Sequence, residues 1–310
     1  MELTGQRILI TGATGQVAGA LARGLAEANE VHALARFSAA GSREALEDAG
    51  VRTCRGDFVT QEFGEAPTDV DYVVHSAANT RPKDSEDALR DNVDGLARMM
   101  SRYRNAKAFL QVSATGCYIG KDDPWYRYKE EDDIGGDTPF APMYGVSKSI
   151  AEGVARVLAA EFNLPTIIAR LNVAYGGPYA DGGLPGRQLD AILAGEPIKL
   201  PKLSPAVLAP IHEDDLTRHV GPLLAAAAVP ATVVNWGGDE GVEIETWVRY
   251  LGELVGKEPN ITYDDNGLWS SSVPDNTKRL ALGCHCEVSW QEGMRRMVAA
   301  RHPEVALHSA

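Results

Sequence analysis

A short apolar stretch, Arg7-Ile8-Leu9-Ile10, runs directly into Thr11-Gly12-Ala13-Thr14-Gly15-Gln16-Val17-Ala18, and helix-like spacing follows. No other feature constrains the chain so strongly. A strand that turns through glycines into a helix start leaves backbone N–H groups unpaired, and those groups favour an anion. Gly12 and Gly15 permit a tight turn and close approach of a pyrophosphate, while Ala18 is small enough for helix and strand to pack together. Thr14, Gln16 and Val17 sit in the same turn, so Gly12, Thr14, Gly15, Gln16 and Val17 are the expected dinucleotide contacts there.

The rest of the first half repeats that unit. Residues 7–10, 30–34, 51–55, 70–75, 108–113 and 166–171 read as strands, and 18–28, 85–103 and 143–162 as helices. Such alternation predicts a parallel sheet covered on both faces. The expected fold class is therefore α/β, a Rossmann doubly wound parallel sheet with a smaller C-terminal substrate-binding lobe. Residues 1–171 are assigned to the dinucleotide-binding domain. Residues 172–310 are assigned mainly to the lobe, sharing elements with the sheet. In that second part, glycine and proline crowd residues 176–186, and helices are expected at 184–193, 213–224 and 244–255.

Charge narrows the partners. The formal net charge is −13, and an acidic surface repels phosphate backbones, so nucleic acid is not expected. The most apolar stretch, residues 220–234, is interrupted by Gly221, Pro222 and Pro230, so no membrane span is expected. With no leader-like segment after Met1, the expectation is a cytoplasmic enzyme acting on a small molecule. The four cysteines read as free thiols, and Cys284-His285-Cys286 offers too few ligands for a metal site.

Two further patterns carry chemistry. The second strand ends Leu34-Ala35-Arg36. Ala35 stands where an NAD enzyme carries an acid for the adenosine ribose, and Arg36 offers a bidentate partner to a 2′-phosphate. This favours NADP(H), with NAD(H) as the alternative. On the helix near residue 143 stands Tyr144-Gly145-Val146-Ser147-Lys148. Residues four apart share a helix face, and a lysine beside a tyrosine is expected to lower the phenol's pKa. Tyr144 can then serve as general acid in carbonyl reduction or as base in alcohol oxidation.

Together with Gly56-Asp57, His75-Ser76-Ala77-Ala78, Asn92-Val93-Asp94-Gly95, Tyr175-Gly176 and Ile211-His212-Glu213-Asp214-Asp215, these motifs resemble the extended short-chain dehydrogenase/reductase family over residues 7–293. That family includes the NAD-dependent epimerases and dehydratases. The resemblance implies that Asp57 accepts from the adenine amino group and that Ala77 and Ala78 line the cofactor. It implies that Lys148 holds the nicotinamide ribose and that Asn92 supports the active site. Phe58 and Leu171 are counted with them as cofactor contacts. It also suggests a homodimer through a four-helix contact, with Ala151, Val154, Ala155 and Leu158 as its apolar face.

Four departures from the family pattern stand out. Its catalytic Ser/Thr precedes a tyrosine by four residues; here, counting from Tyr118, that position is Ala114, and Thr115, or else Ser113, is expected to take over. The acidic pair of the dehydratases is absent beside Thr115, which argues against dehydration. No basic residue occupies 203–210, where sugar-nucleotide enzymes carry an Arg for the diphosphate, leaving Arg187, Lys199 and Lys202 as substitutes. The family asparagine before Tyr-Gly is also displaced, to Asn172.

On the substrate side, the aromatic loop Asp122–Tyr128 is either a grip on a ring-shaped substrate or a surface loop. Tyr175 and residues 176–186 suggest a lid, and His212 a buried structural histidine. The primary expectation is an oxidoreductase transferring hydride between NADP(H) and a carbonyl or secondary alcohol. The alternatives are a redox-neutral sugar or sugar-nucleotide epimerase with tightly held cofactor, and a non-catalytic dinucleotide sensor.

Overall fold

The computed structural model describes residues 3–136, 141–264 and 270–308. Seven strands form one sheet: β1 (Arg7–Thr11), β2 (Glu30–Ala35), β3 (Arg52–Arg55), β4 (Tyr72–His75), β5 (Ala108–Ala114), β6 (Thr166–Leu171) and β7 (Thr232–Trp236). Their order is β7-β6-β5-β4-β1-β2-β3, and every pairing is parallel. The chain winds outward from β1 to β3, then returns to β4 and winds the other way. A crevice must therefore open beyond the carboxyl ends of β1 and β4, where ligands of such sheets bind.

The strands alternate sides with period two. Ile8 and Ile10 face one core with Val74, Leu110 and Ile167; Leu9, Val73, Phe109 and Ile168 face the other. On the first side lie helix Gln16–Ala26, with Leu21 and Leu25, and helix Glu213–Ala225, with Leu216, Val220 and Leu223. These two helices cross closely: a Cβ on Gly24 would come within 2.6 Å of Thr217 Cγ2. On the second side lie the Ser85–Arg102 segment and helix Pro142–Glu161. A third core, with Trp247, Leu251, Met294 and Met297, is built from residues after the sixth strand.

Two expectations need correction. The helix expected at 85–103 is not uniform: a π-helical turn, Arg90–Asp94, interrupts it and carries Asn92. The residues assigned to a dimer face point inward. Ala151 and Ala155 are fully buried against the sheet, with Val154 and Leu158 packed on the same core. Helix Pro142–Glu161 carries two apolar stripes, and the sheet takes that one. The other bears Ile150, 42% exposed, and Val157, 67% exposed.

Candidate active site

A cleft of about 1190 Å³ opens at the predicted crevice. Gly12, Thr14, Gly15, Gln16 and Val17 line its centre; Arg36, Asp57 and Phe58 line one end; Ala77, Ala78, Thr115, Tyr144, Lys148 and Leu171 line the other. Of the predicted site residues only Asn92 stays off the wall. It is 4% exposed, accepts the Asn79 N–H (2.7 Å), and donates to Asn79 O (3.0 Å) and Ser147 Oγ (2.9 Å). It ties the loop after β4 to the helix of Tyr144, as a residue that supports the site from behind its wall.

The glycine turn fits a pyrophosphate. Gly12 has φ +77, and a Cβ there would come within 2.8 Å of Ala77 Cα. Thr11 Oγ1 fixes that approach by accepting the Ala77 N–H (3.2 Å) while bonding His75 Nδ1 (2.9 Å). Burial, with the Lys148 ammonium adding to it, pushes His75 down to about 3, so the ring is neutral. Helix Gln16–Ala26 starts without a side-chain cap and has no acid in its first turn, which leaves its N–H groups open to an anion. Gln16 Oε1 is buried with no partner among the described residues. Beyond the ends of β2 and β3 Arg36 is exposed and makes no ion pair with a described residue, and Asp57 Oδ1 accepts the Val59 N–H (2.9 Å). The donor set therefore fits a dinucleotide.

At the opposite end Tyr144 stands in the first turn of its helix, where Ser147 Oγ donates to its carbonyl (2.9 Å). Lys148 Nζ donates to Val112 O at 2.8 Å and lies 5.7 Å from the centre of the Tyr144 ring. The expected lowering of the phenol's pKa is not what this geometry produces. Burial pushes the Tyr144 phenol up, with the Cys117 thiol adding to it. Burial also pulls Lys148 down to about 8, against the pull of Glu152. Desolvation sets the direction at both groups, and the ammonium is docked on a carbonyl and not on the phenol.

Ser113 and Thr115 separate cleanly. Ser113 Oγ donates to Glu152 Oε1 at 2.6 Å, inside a buried ion pair in which Arg170 Nη2 meets Glu152 Oε2 at 2.8 Å. Thr115 opens a single 3₁₀ turn, Thr115–Cys117, and lines the cleft. No pattern in the sequence marks that turn. Thr115 Oγ1 accepts from Asn172 Nδ2 (2.7 Å) and lies 3.2 Å from Ser272 Oγ. Ser272, which also lines the cleft, carries no motif and lies 157 positions from Thr115, so no local pattern pointed to it.

The substrate side is mostly plainer than expected. From the aromatic loop only Tyr128 lines the cleft, stacked on Tyr118 at 4.8 Å; Tyr126 is held by Asp132 (3.1 Å) and Trp125 is 49% exposed. Of the three substitute cations, Arg187 alone lines the cleft, paired with Asp181 at 2.5 Å; Arg81 joins it there. Tyr175 is not a lid residue: it is fully buried, donates to Trp290 O (3.2 Å) and meets the His212 ring edge-on. His212 is buried as expected, its Nδ1 accepting the Asp214 N–H (3.2 Å). Gly176 and Gly177 are not free hinges, since a Cβ on either would strike the Glu213 side chain. Burial raises that carboxyl to about 7.

Asp215, His219 and Cys286 bring possible ligand atoms within 4.8 Å of one another. Those atoms already have partners. Asp215 accepts the Glu287 N–H (2.8 Å), the Val288 N–H (3.2 Å) and Arg218. His219 Nδ1 accepts from Trp236 Nε1 (3.3 Å), and Arg279 points at Cys286. Donors aimed at the ligand atoms leave a knot that ties the C-terminal segment down, not a cation cage.

The family model described as "NAD dependent epimerase/dehydratase family" matches residues 8–228. No curated protein matches the chain in sequence. Among solved structures, UDP-glucuronic acid 4-epimerase from Bacillus cereus, as a tyrosine-to-phenylalanine mutant with NAD and a fluorinated UDP-sugar, is similar at 20% identity and TM-score 0.82, covering 96% of this chain and 99% of that one. UDP-glucose 4-epimerase from Thermus thermophilus with NAD is similar at 23% identity and TM-score 0.81, over 96% and 100%. UDP-N-acetylglucosamine 4-epimerase from Methanobrevibacter ruminantium is similar at 16% identity and TM-score 0.83, over 98% and 100%. At these identities the likeness concerns the fold. The family match over more than half the chain, on the same turn, strand ends and Tyr-Lys helix described above, settles the affiliation: this chain belongs to the NAD-dependent epimerase/dehydratase family of extended short-chain dehydrogenases/reductases.

Proposed function

We propose that the protein is a redox-neutral epimerase of a nucleotide-linked sugar, working with a retained NAD. The observation that carries this reading is one continuous cleft from the dinucleotide turn through Tyr144 to Arg187, in a chain matched nearly end to end by UDP-sugar 4-epimerases crystallised with NAD. Epimerisation replaces net reduction as the first reading for that reason. NAD, when bound along the cleft, would supply a reversible hydride acceptor for the substrate carbon. Tyr144 takes the proton of the hydroxyl on that carbon and later returns it. Lys148, fastened to the Val112 carbonyl, would hold the ribose beside it. Thr115 donates a hydrogen bond to the same substrate oxygen as its charge changes. Arg187 and Arg81 are the cations available to the diphosphate.

One observation favours a second reading, an NADP(H)-dependent carbonyl reductase. Ala35 removes the acid that would hold the ribose diol, and the exposed Arg36 suits a 2′-phosphate. The proposal also includes a homodimer, with the outward stripe of Ile150 and Val157 as the helical contact. Among the described residues no helix is long and apolar enough to cross a membrane.

The test is to denature purified protein, identify any released dinucleotide, and follow UDP-glucose and UDP-glucuronate by NMR. Released NAD with appearance of the 4-epimer supports the reading. Freely exchanging NADPH, with ketone reduction and no epimer, replaces it with the second.

A further inference from the structure

We infer that Asn172 is a positioning residue that turns the Thr115 hydroxyl into a hydrogen-bond donor for the reacting substrate oxygen, with Ser272 holding that hydroxyl when the cleft is empty. The inference rests on the proposed hydride chemistry, but its argument comes from the strand ends. Ala114 and Leu171 form the last pair of β5 and β6. The next residues, Thr115 and Asn172, therefore emerge side by side at the carboxyl edge of the sheet. A hydroxyl displaced by one position from the family pattern meets an asparagine displaced by one position.

The orientation of the Asn172 amide follows from its partners. Its Oδ1 faces the Ala209 N–H at 2.8 Å, and a backbone N–H can only donate. Nδ2 must then be the atom facing Thr115 Oγ1 at 2.7 Å and Ser272 O at 2.7 Å. A Thr115 oxygen that accepts this N–H has to point its one proton elsewhere. Ser272 Oγ at 3.2 Å is an acceptor within reach, but longer than the usual 2.7–2.8 Å or so for a hydroxyl pair. A substrate oxygen entering the cleft can take its place. Donation into the hydroxyl also polarises it and strengthens its own donation. Ser113 cannot compete, because its proton is engaged by Glu152. Thr115 keeps its proton throughout, and Tyr144 alone exchanges one with the substrate.

The test uses full-length protein and compares Asn172→Asp, Thr115→Val, their double variant and Thr115→Ser, with UDP-sugar epimerisation and cofactor affinity as readouts. Asn172→Asp keeps the acceptor for the Ala209 N–H and removes only the donors; Asn172→Ala is the second variant should that carboxylate disturb folding. Loss of one such donor to a reacting oxygen is expected to lower kcat roughly 10²-fold. Each single variant should show that loss, with KM and cofactor affinity within about two-fold, and the double variant should lose no more than either alone. Thr115→Ser should restore most of the rate. Unchanged kcat in Thr115→Val, or losses that multiply in the double variant, overturns the inference. Should the wild type epimerise nothing but reduce a small ketone with NADH or NADPH, the proposed function fails and the same comparison is read on that reduction. Hydride transfer in neither assay overturns both.

Discussion

Lys148 donates its ammonium to the carbonyl of Val112 at 2.8 Å, so the cation of the Tyr-Lys pair is fastened to the strand that ends in the active site. Burial holds its pKa near 8, below the ordinary lysine value of 10.5. Below about pH 8 it is charged in both folded and unfolded states; between 8 and 10.5 the unfolded chain binds more protons. Stability from this group therefore rises with pH across that window. Lys148→Met should lose turnover yet melt higher than wild type at pH 7, with the difference shrinking toward pH 10.5. In the wild type, turnover should fall on the alkaline side as the ammonium loses its proton near pH 8. Melting curves and pH–rate profiles check both limbs.

Tyr144→Phe should lower turnover by about 10²–10⁴-fold, the usual contribution of a placed acid–base group. Dinucleotide affinity should remain within about two-fold, because the turn, the helix start and Gln16 are untouched. Nicotinamide fluorescence titration and steady-state rates on the same preparation separate the two effects.

Arg170 and Glu152 form an ion pair in which both side chains are 1% exposed. Removing one partner leaves a buried charge without compensation, so Arg170→Met should cost about 3–5 kcal/mol, measured by denaturant unfolding. The double change Arg170→Met with Glu152→Gln should cost less than Arg170→Met alone. Greater loss in the double variant would assign the stability to each group's other contacts, such as Ser113 and Glu130.

Arg36→Ala distinguishes the two cofactors. A guanidinium that reads a 2′-phosphate should, when removed, weaken NADPH by at least about ten-fold and leave NADH nearly unchanged. Equal small effects on both would leave Arg36 as a solvated strand-end cation and strengthen the NAD reading.

Much of this was legible from residue order. Strand and helix periodicity placed β1 to β6, and the glycine turn and Tyr144-Lys148 located the cleft, because both are local patterns with a direct physical cause. The missing parts depend on long-range packing. Ala151 and Ala155 read equally well as a dimer stripe or a core stripe until the sheet is placed beneath them. Asn92 came from the family resemblance, and the π-helical turn that carries it is invisible to a 3.6-residue period. Ser272 reaches Thr115 across 157 positions. The direction of the Tyr144 shift also needed burial, which adjacency to Lys148 cannot supply.

The most direct measurement is isotope tracing with UDP-sugar deuterated at C4, incubated with purified protein while absorbance of reduced nicotinamide is followed. An epimerase that returns its hydride internally predicts 4-epimer with deuterium kept at C4 and no accumulating reduced cofactor. Reduced cofactor accumulating in proportion to a released keto product would contradict it.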